Sequence, residues 1–405
     1  MKFVLNDNTS NWQIKKMPDV VKWGSGGTPK ATIKEYYEGG TIPWLIIGDL
    51  NDGLVTESAT KITELGLENS SAKLIPKGTL LVAMYGSIGK LGITGIECCT
   101  NQAIAYAKEL YGVTTEFMYY QMMLLKSELI SKGKGGTQKN ISQTVLNSLD
   151  VIVPPLEEQR RIVARIEELF SELDAAVATL ERTKELLIRY RYSVIDTIIP
   201  LDSFISIQDC ISDMGQGWSP KCINTNVTDD ESWAVIKTTA VQAREFVFEE
   251  NKKLPETLEP RAQHELVEGD ILITRAGPKS RCGVCCMVRK TKKHLLNCDK
   301  VYRIKVNEKV VTPQYLECVL NAPKFIEEIN LCKTGGNDSG LNLTQKRFLS
   351  IKVPIPSLSE QEKIVGEIES RLSVCDKIEE TVNTALQEAE AMRQSILKQA
   401  FVGEL

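Results

Sequence analysis

Two stretches of the chain carry a hydrophobic pattern unlike the rest. After Pro154-Pro155, positions stepping by four and three give Ile162, Ile166, Leu169, Leu173, Ala176, Leu180, Thr183, Leu187, Tyr190 and Val194, with Thr183 the one polar member. After Pro356-Ser357 the same steps give Ile364, Ile368, Arg371, Cys375, Ile378, Val382, Ala385, Ala389, Met392 and Ile396, with Arg371 the one breach. A period of 3.5 residues predicts two long helices that pair through these seams as a coiled coil. Each seam runs for roughly 33 residues, or ~50 Å at 1.5 Å per residue. That is longer than a domain core requires, so the helices read as a spacer. Glu157 and Glu158 at one helix start, and Ser359, Glu360 and Glu362 at the other, suit N-terminal capping and the helix dipole.

The segments between the helices alternate short β-rich runs with glycine turns. Thr79 to Met84 and Asp270 to Thr274 read as strands, while Thr115 to Lys132 and Pro313 to Ile329 have helical spacing. Residues 1–150 and 201–350 are therefore expected to be mixed α/β domains, alternating with helical regions at 151–200 and 351–405.

The chain also repeats itself. VPPLEEQRRIVARIEE from Val153 recurs as IPSLSEQEKIVGEIES from Ile355, without a gap. GGTPK (Gly26 to Lys30) matches GWSPK (Gly217 to Lys221), PKGTLLVAMYGSIGKLG from Pro76 matches LVEGDILITRAGPKSRCG from Leu266, and GKGGTQKNIS from Gly133 matches KTGGNDSGLNLT from Lys333 after a short insertion. The period is far too long for a solenoid, so the unit is a duplicated domain plus helix. Two copies in one chain relate most simply by a pseudo-two-fold axis, which makes the paired helices antiparallel. The local dyads of duplex DNA would match that arrangement, with two similar domains reading two half-sites.

Composition narrows the class. With 405 residues, 42% hydrophobic and 25% charged, the chain is too rich in core residues for disorder and long enough for two or three domains. It has no run of 18 apolar residues and no leader-like N-terminus, so a cytoplasmic protein without membrane contact is expected. Eleven irregularly spaced cysteines suit a reducing compartment. The net charge of −4 argues against a simple phosphate-binding protein. Counted by segment, however, residues 1–150 and 201–350 each stand at +1, while 151–200 carry −2 and 351–405 carry −4. The acid lies in the helices.

Catalytic motifs are mostly missing. His264 and His294 are the only histidines, too few for a Ser-His-Asp triad or an HExxH zinc site. GSIGK (Gly86 to Lys90) lacks the full phosphate-loop spacing and reads as a tight turn. VPPL at Val153 lacks the aromatic residue of the motif with which adenine methyltransferases grip a flipped base. Cys282, Cys285, Cys286, His294 and Cys298 have metal-like spacing but fit buried thiols better, so no metal site is expected. Glu250-Asn251-Lys252 reads as a solvated charge run.

EYYEGGTIPWLIIGDLNDG (Glu35 to Gly53), GTLLVAMYGSIGKLGI (Gly78 to Ile93), CTNQAIA (Cys99 to Ala105), GGTQKNIS (Gly135 to Ser142), VPPLEEQRRIV and the terminal SILKQAFVGEL closely resemble the specificity subunit of type I restriction-modification systems. The resemblance covers essentially the whole chain. It implies two target-recognition domains separated by two helical repeat regions, reading a bipartite DNA target. It implies partners as well: double-stranded DNA, two methyltransferase subunits acting on adenine N6, and motor-nuclease subunits. The chain itself would be non-catalytic and bind no cofactor, with S-adenosylmethionine, ATP and Mg2+ used by those partners. In the second domain IKTTAVQARE stands where the first has IIGDLNDGLV, a departure that leaves its base contacts less defined.

Loops rich in Gly, Lys, Thr, Asn and Gln suit phosphate approach and base-edge hydrogen bonding. Candidate DNA contacts in the first domain are Lys30, Tyr36, Tyr85, Ser87, Lys90, Lys134, Thr137, Gln138, Lys139 and Asn140. In the second they are Lys221, Arg275, Lys279, Arg281, Lys333 and Asn337, within or beside Arg275 to Lys305, which holds ten Lys or Arg against one acid. Two other readings compete: an autonomous DNA-modifying enzyme, which would be active alone, and a coiled-coil scaffold without sequence recognition.

Overall fold

A computed structural model of the chain describes residues 9–135 and 139–405. They form two compact units, one of the described residues up to 180 with 384–405 and one of residues 181–383. The long helices Leu156–Ile198 and Leu358–Ala400, 43 residues each, run through both. No helix among the described residues is long and apolar enough to cross a membrane.

The first unit holds a five-stranded sheet in the order Val21–Ser25, Ile104–Leu110, Leu80–Ala83, Leu91–Thr94, Gly53–Val55. Its pairs are antiparallel except the last, which is parallel. A second sheet orders Lys61–Ile62, Ile42–Leu45 and Cys99–Thr100, the last pair parallel. Helix Thr115–Ser131 is capped by Thr114, whose hydroxyl accepts from Phe117 N, and it buries Phe117, Met118, Met122 and Leu125.

The second unit repeats the plan. Strands Ile211–Gln216, Val301–Val306, Ile271–Thr274 and Cys285–Met287 form an antiparallel sheet, and Asn251–Lys253, Ala234–Ile236 and Leu295–Leu296 form the smaller one, again with one parallel pair. The duplication reaches backbone details that the sequence hides. Asp52 and Arg244 both adopt left-handed φ, +54° and +63°, and donate their N–H to Leu91 O and Cys285 O, each at 3.0 Å. Asp52 then pairs with Lys126 at 2.9 Å, whereas Arg244 donates to the Cys318 thiol. The local backbone is the same and the charge is opposite.

The helical stretch expected over Pro313 to Ile329 is two helices, Pro313–Leu320 and Pro323–Leu331. Pro323 has no N–H to continue the first and sits instead at the start of the second. The cap of the second long helix is Ser357 rather than Ser359. Its N–H and hydroxyl both donate to the Glu360 carboxylate, at 3.0 and 2.6 Å.

Each long helix leaves its domain through one buried side chain. Gln159 accepts a hydrogen bond from Thr114 N (2.9 Å) and donates to Gly112 O (2.8 Å) and Pro154 O (2.9 Å). Gln361 accepts from Thr312 N (2.9 Å) and donates to Val310 O (3.0 Å) and Pro356 O (2.9 Å). Beyond this clasp the helices enter the domain cores. Ile162, Ile166 and Phe170 pack with Ile396, Leu397 and Phe401 in the first unit, and Val194, Ile195 and Ile199 with Val365, Ile368 and Leu372 in the second.

The pairing is antiparallel. In the first unit Arg161 donates to Leu405 O at 3.2 Å, and further along Asp174 accepts from Arg393, so one helix advances as the other retreats. In the second unit Arg191 pairs with Asp376 (2.6 Å) and Glu379 (2.9 Å). The phase of the seam corrects half of the sequence expectation. Ile162, Ile166, Leu187, Val194, Ile368, Cys375, Val382, Ala389 and Ile396 are buried, and Leu173 and Leu180 half-buried, as expected. The alternate positions fall one residue later, at Phe170, Val177, Lys184 and Arg191 on one helix and at Val365, Leu372, Glu379 and Arg393 on the other. Tyr190 (50% exposed), Ile378 (40%) and Met392 (53%) lie off the seam, and Leu169 and Ile364 are only half-buried on its flank. Where apolar residues occupy both candidate positions, or only the wrong one, hydrophobicity alone selects the wrong neighbour.

Replacing Gln159 or Gln361 by leucine keeps the volume but leaves one N–H and two carbonyls unpaired in a buried place. With unsatisfied groups costing ~1–3 kcal/mol each, we expect each substitution to lower stability by on the order of 3 kcal/mol, read as a drop in the urea midpoint at constant slope. A loss in one unit only would show that the two clasps are not equivalent.

Candidate nucleic-acid interface

In the first domain the turn between strands Leu80–Ala83 and Leu91–Thr94 is laced to the loop that follows helix Thr115–Ser131. Gly86 and Gly89 take left-handed φ of +66° and +73°, which lets Lys90 N donate to Ser87 O (3.1 Å) and close the turn. Gly86 N donates to Lys139 O at 3.1 Å, and Ile141 N to Met84 O at 2.8 Å. Asn140 pairs with Lys134 in both directions, at 2.8 and 3.0 Å, and bridges Tyr85. The lacing holds Tyr85, Ser87, Lys134, Lys139 and Asn140 together with their side chains exposed. Such a set has the right chemistry for DNA. Asn140 Oδ1 accepts a long hydrogen bond from Gly86 N at 3.4 Å, which orients the exposed amide toward a base edge, and the lysines suit phosphates.

Other candidate side chains point away from this loop pair or lie outside it. Lys90 is half-buried and donates to Ile47 O at 3.4 Å. The carbonyls of Lys30 and Tyr36 accept from Ile33 N and Thr63 N, beside the small sheet. Thr137 and Gln138 lie outside the described residues.

The second domain rebuilds the same loop pair as a small sheet of Ala276–Gly277, Leu341–Leu343 and Lys333–Thr334. Leu343 N donates to Arg275 O at 2.7 Å, as Ile141 N does to Met84 O. Asn342 thus stands where Asn140 stands, exposed, in place of the Asn337 that the sequence points to. The signal was present in the matching triplets Asn140-Ile141-Ser142 and Asn342-Leu343-Thr344, but the insertion after the glycine pair obscured it. Asn337 sits at the loop tip, its carbonyl accepting from Gly340 N at 3.1 Å.

Two arginines expected to touch DNA are engaged within the domain. Arg281 donates to Gln242 Oε1 (3.0 Å) and to Thr238 O and Val241 O (2.6 Å each), pinning that loop. Arg275 donates to Asp299 O at 3.1 Å and lies over the Tyr302 ring. Lys279 is exposed beside Asp338, at 3.8 Å. Lys333 is half-buried against the Asn330 amide, and burial pulls its ammonium below the usual lysine range. Lys221 is exposed.

The cysteine cluster divides between cores. Cys285 and Cys286 are neighbours in one strand, so their side chains point to opposite faces. Cys282 and Cys285 join one core, while Cys286 and Cys298 join another. Burial pushes the Cys298 thiol up to about 11. Among the described residues no group of His, Cys, Asp and Glu has metal-holding geometry.

The family model for the type I restriction modification DNA specificity domain matches residues 9–182 and again residues 220–388. The EcoEI specificity subunit of Escherichia coli is 36% identical over 45% of this chain, a match spanning 30% of that relative. The EcoKI specificity subunit of E. coli strain K12 is 23% identical over 97% of this chain and 89% of its own length. Among solved structures, a chain from a study of assembly and conformational transition in a type I system aligns over 100% of both chains, with a TM-score of 0.75 at 16% identity. The HsdS subunit from Thermoanaerobacter tengcongensis aligns over 98% of both, with a TM-score of 0.55 at 17% identity. Those two likenesses concern the fold. Matched twice by one model across most of its length, the chain belongs to the type I restriction-modification DNA specificity family.

Proposed function

We propose that this chain is the non-catalytic DNA-recognition subunit of a type I restriction-modification complex, reading a bipartite target with its two domains. The observation that carries this reading is the duplicated loop pair, in which Asn140 and Asn342 are presented by the same backbone scaffold in two units that otherwise differ in sequence. Two copies of one scaffold with different side chains suit two half-sites of different sequence. S-adenosylmethionine, ATP and Mg2+ would belong to partner subunits, and the work of this chain would be done in the cytoplasm.

The corrected seam supports the docking of those partners. Positions that the sequence pattern assigned to the seam and that lie off it form a second apolar stripe. In an antiparallel pair such flanking positions of the two helices face the same side. In the second unit these are Tyr190 and Ile378, both exposed, and the exposed Leu186 and Val374, four residues before each, extend the same flank. We propose that methyltransferase subunits dock on such faces, bringing the motor-nuclease subunits with them.

Methylome sequencing of the host with and without this gene tests the main reading. We expect one split motif to lose adenine methylation when the gene is absent, and an unchanged methylome would refute it. For docking, Tyr190→Glu with Ile378→Glu should abolish co-purification with the methyltransferase while leaving the far-ultraviolet circular dichroism intact. Full retention of the partner would place the docking surface elsewhere.

A further inference from the structure

A second duplicated feature lies away from the loop pair. In each domain a glycine-led strap crosses the small sheet. Gly27 N donates to Thr100 O at 2.8 Å in the first, and Gly217 N and Trp218 N donate to Cys298 O and Asn297 O, both at 3.0 Å, in the second. The approach is so close that a Cβ at Gly26 would meet Thr100 O at 2.2 Å and one at Gly217 would meet Asn297 O at 2.1 Å. The first strap is held further by Trp44 Nε1 donating to Gly27 O (2.9 Å) and Tyr37 OH to Pro29 O (2.6 Å). Each strap ends on an exposed lysine after a proline, Lys30 or Lys221.

Under the second strap lies a cleft of about 500 Å³ whose charged lining is Lys221, Lys237, Lys252, Lys300 and Asp299. Lys237 is partnered by Glu250 at 3.5 Å, and the Asp299 carboxylate accepts from Ser219 Oγ at 2.5 Å. Lys221, Lys252 and Lys300 are exposed, and none has an ion-pair partner among the described residues. Three ammonium groups without ion-pair partners, set against the single carboxylate of Asp299, leave the cleft net positive, which suits a polyanion. They offer charge without the paired donor and acceptor of an amide, which makes them fit for phosphates rather than base edges.

We propose that the strap cleft is the anchor for the phosphodiester backbone of double-stranded DNA in the second domain, through Lys221, Lys252 and Lys300, and that Lys30 marks a weaker counterpart in the first. The inference rests on the DNA-recognition reading above and adds a division of labour to it. The loop pair reads bases, and the strap holds the backbone in register. It also makes the two domains unequal, the second gripping DNA through more charge than the first.

The test uses the full chain and a random-sequence duplex, with affinity measured across a series of KCl concentrations. The variant Lys221→Gln, Lys252→Gln, Lys300→Gln should reduce the slope of log affinity against log salt by about 0.9 per lysine, and Lys30→Gln alone by about 0.9. Arginine at the same three second-domain positions should restore the slope. A control removing three exposed charges elsewhere, Lys346→Gln, Lys363→Gln, Lys377→Gln, should leave it unchanged. An unaltered slope in the cleft variant, or an equal fall in the control, overturns the proposal. In the host carrying the cleft variant, less of the same motif should be methylated, since base reading lies elsewhere, and a changed motif would also overturn it. A methylome indifferent to the gene itself brings down the recognition reading, and this inference with it. A methylome that needs the gene, alongside an unaltered slope, brings down the cleft alone.

Discussion

The buried glutamine at the start of each long helix is the contact on which the architecture turns. A 43-residue helix can transmit the position of its domain only if its first turn is fixed, and Gln159 and Gln361 fix it with three short hydrogen bonds apiece to backbone on both sides of the junction. One end of the amide accepts from the N-cap residue of a domain helix, Thr114 or Thr312. The other closes on the proline-led turn just before the long helix. Domain helix and spacer helix are thereby tied to the same atoms. An apolar residue could fill the space but not satisfy the backbone, and a charged one would be buried without a counter-ion.

From that origin the seam follows, and its energetics separate stability from orientation. Burying Leu187, Val194 or Val382 contributes roughly 1.5–3 kcal/mol each, whereas partly exposed ion pairs such as Arg191 with Asp376 contribute about 0–1 kcal/mol. The aliphatic positions hold the helices together. The charged ones choose direction and phase, because Arg191 finds both Asp376 and Glu379 only when the helices run antiparallel in this register. The sequence made the existence, length and pairing of the helices legible through period 3.5. It did not fix the phase, since Leu169 beside Phe170 and Ala176 beside Val177 satisfy either choice. At Tyr190 and Arg191 the apolar residue is the one that stays outside.

The same distinction explains what could be read of the interface. Glycines were good guides, because the turn at Gly86 and Gly89 and the close approach of the straps each need a backbone that no side chain allows. Charge was a poor guide. The run from Arg275 to Lys305 is the most basic in the chain, yet its arginines spend their donors within their own domain, Arg275, Arg281 and Arg303 chiefly on carbonyls and Arg289 on the Glu317 carboxylate. A guanidinium with five donors is suited to bracing a loop, and Arg281 does so at three acceptors. Lysines carry a compact, well-hydrated charge and are more readily left at the surface. Lys252 and Lys300 come together with Lys221 only through the small sheet and the strap across it, and no spacing in sequence announces that meeting.

Net charge is therefore the wrong scale for judging what this chain binds. The overall −4 arises in the helical segments. Part of that acid, including Asp174, Asp376 and Glu379, is matched to arginines across the seam. At physiological salt a charge is felt over about 8 Å, so acid further off than that along a helix has little influence on a phosphate seated in a domain. What the phosphate meets is its immediate surroundings, which at the second strap are three lysines without ion-pair partners against one carboxylate, Asp299. A chain of net negative charge can thus present a net positive cleft. Its weak overall charge still has a consequence, since it limits long-range attraction and leaves the grip on DNA to short-range contacts at such clefts.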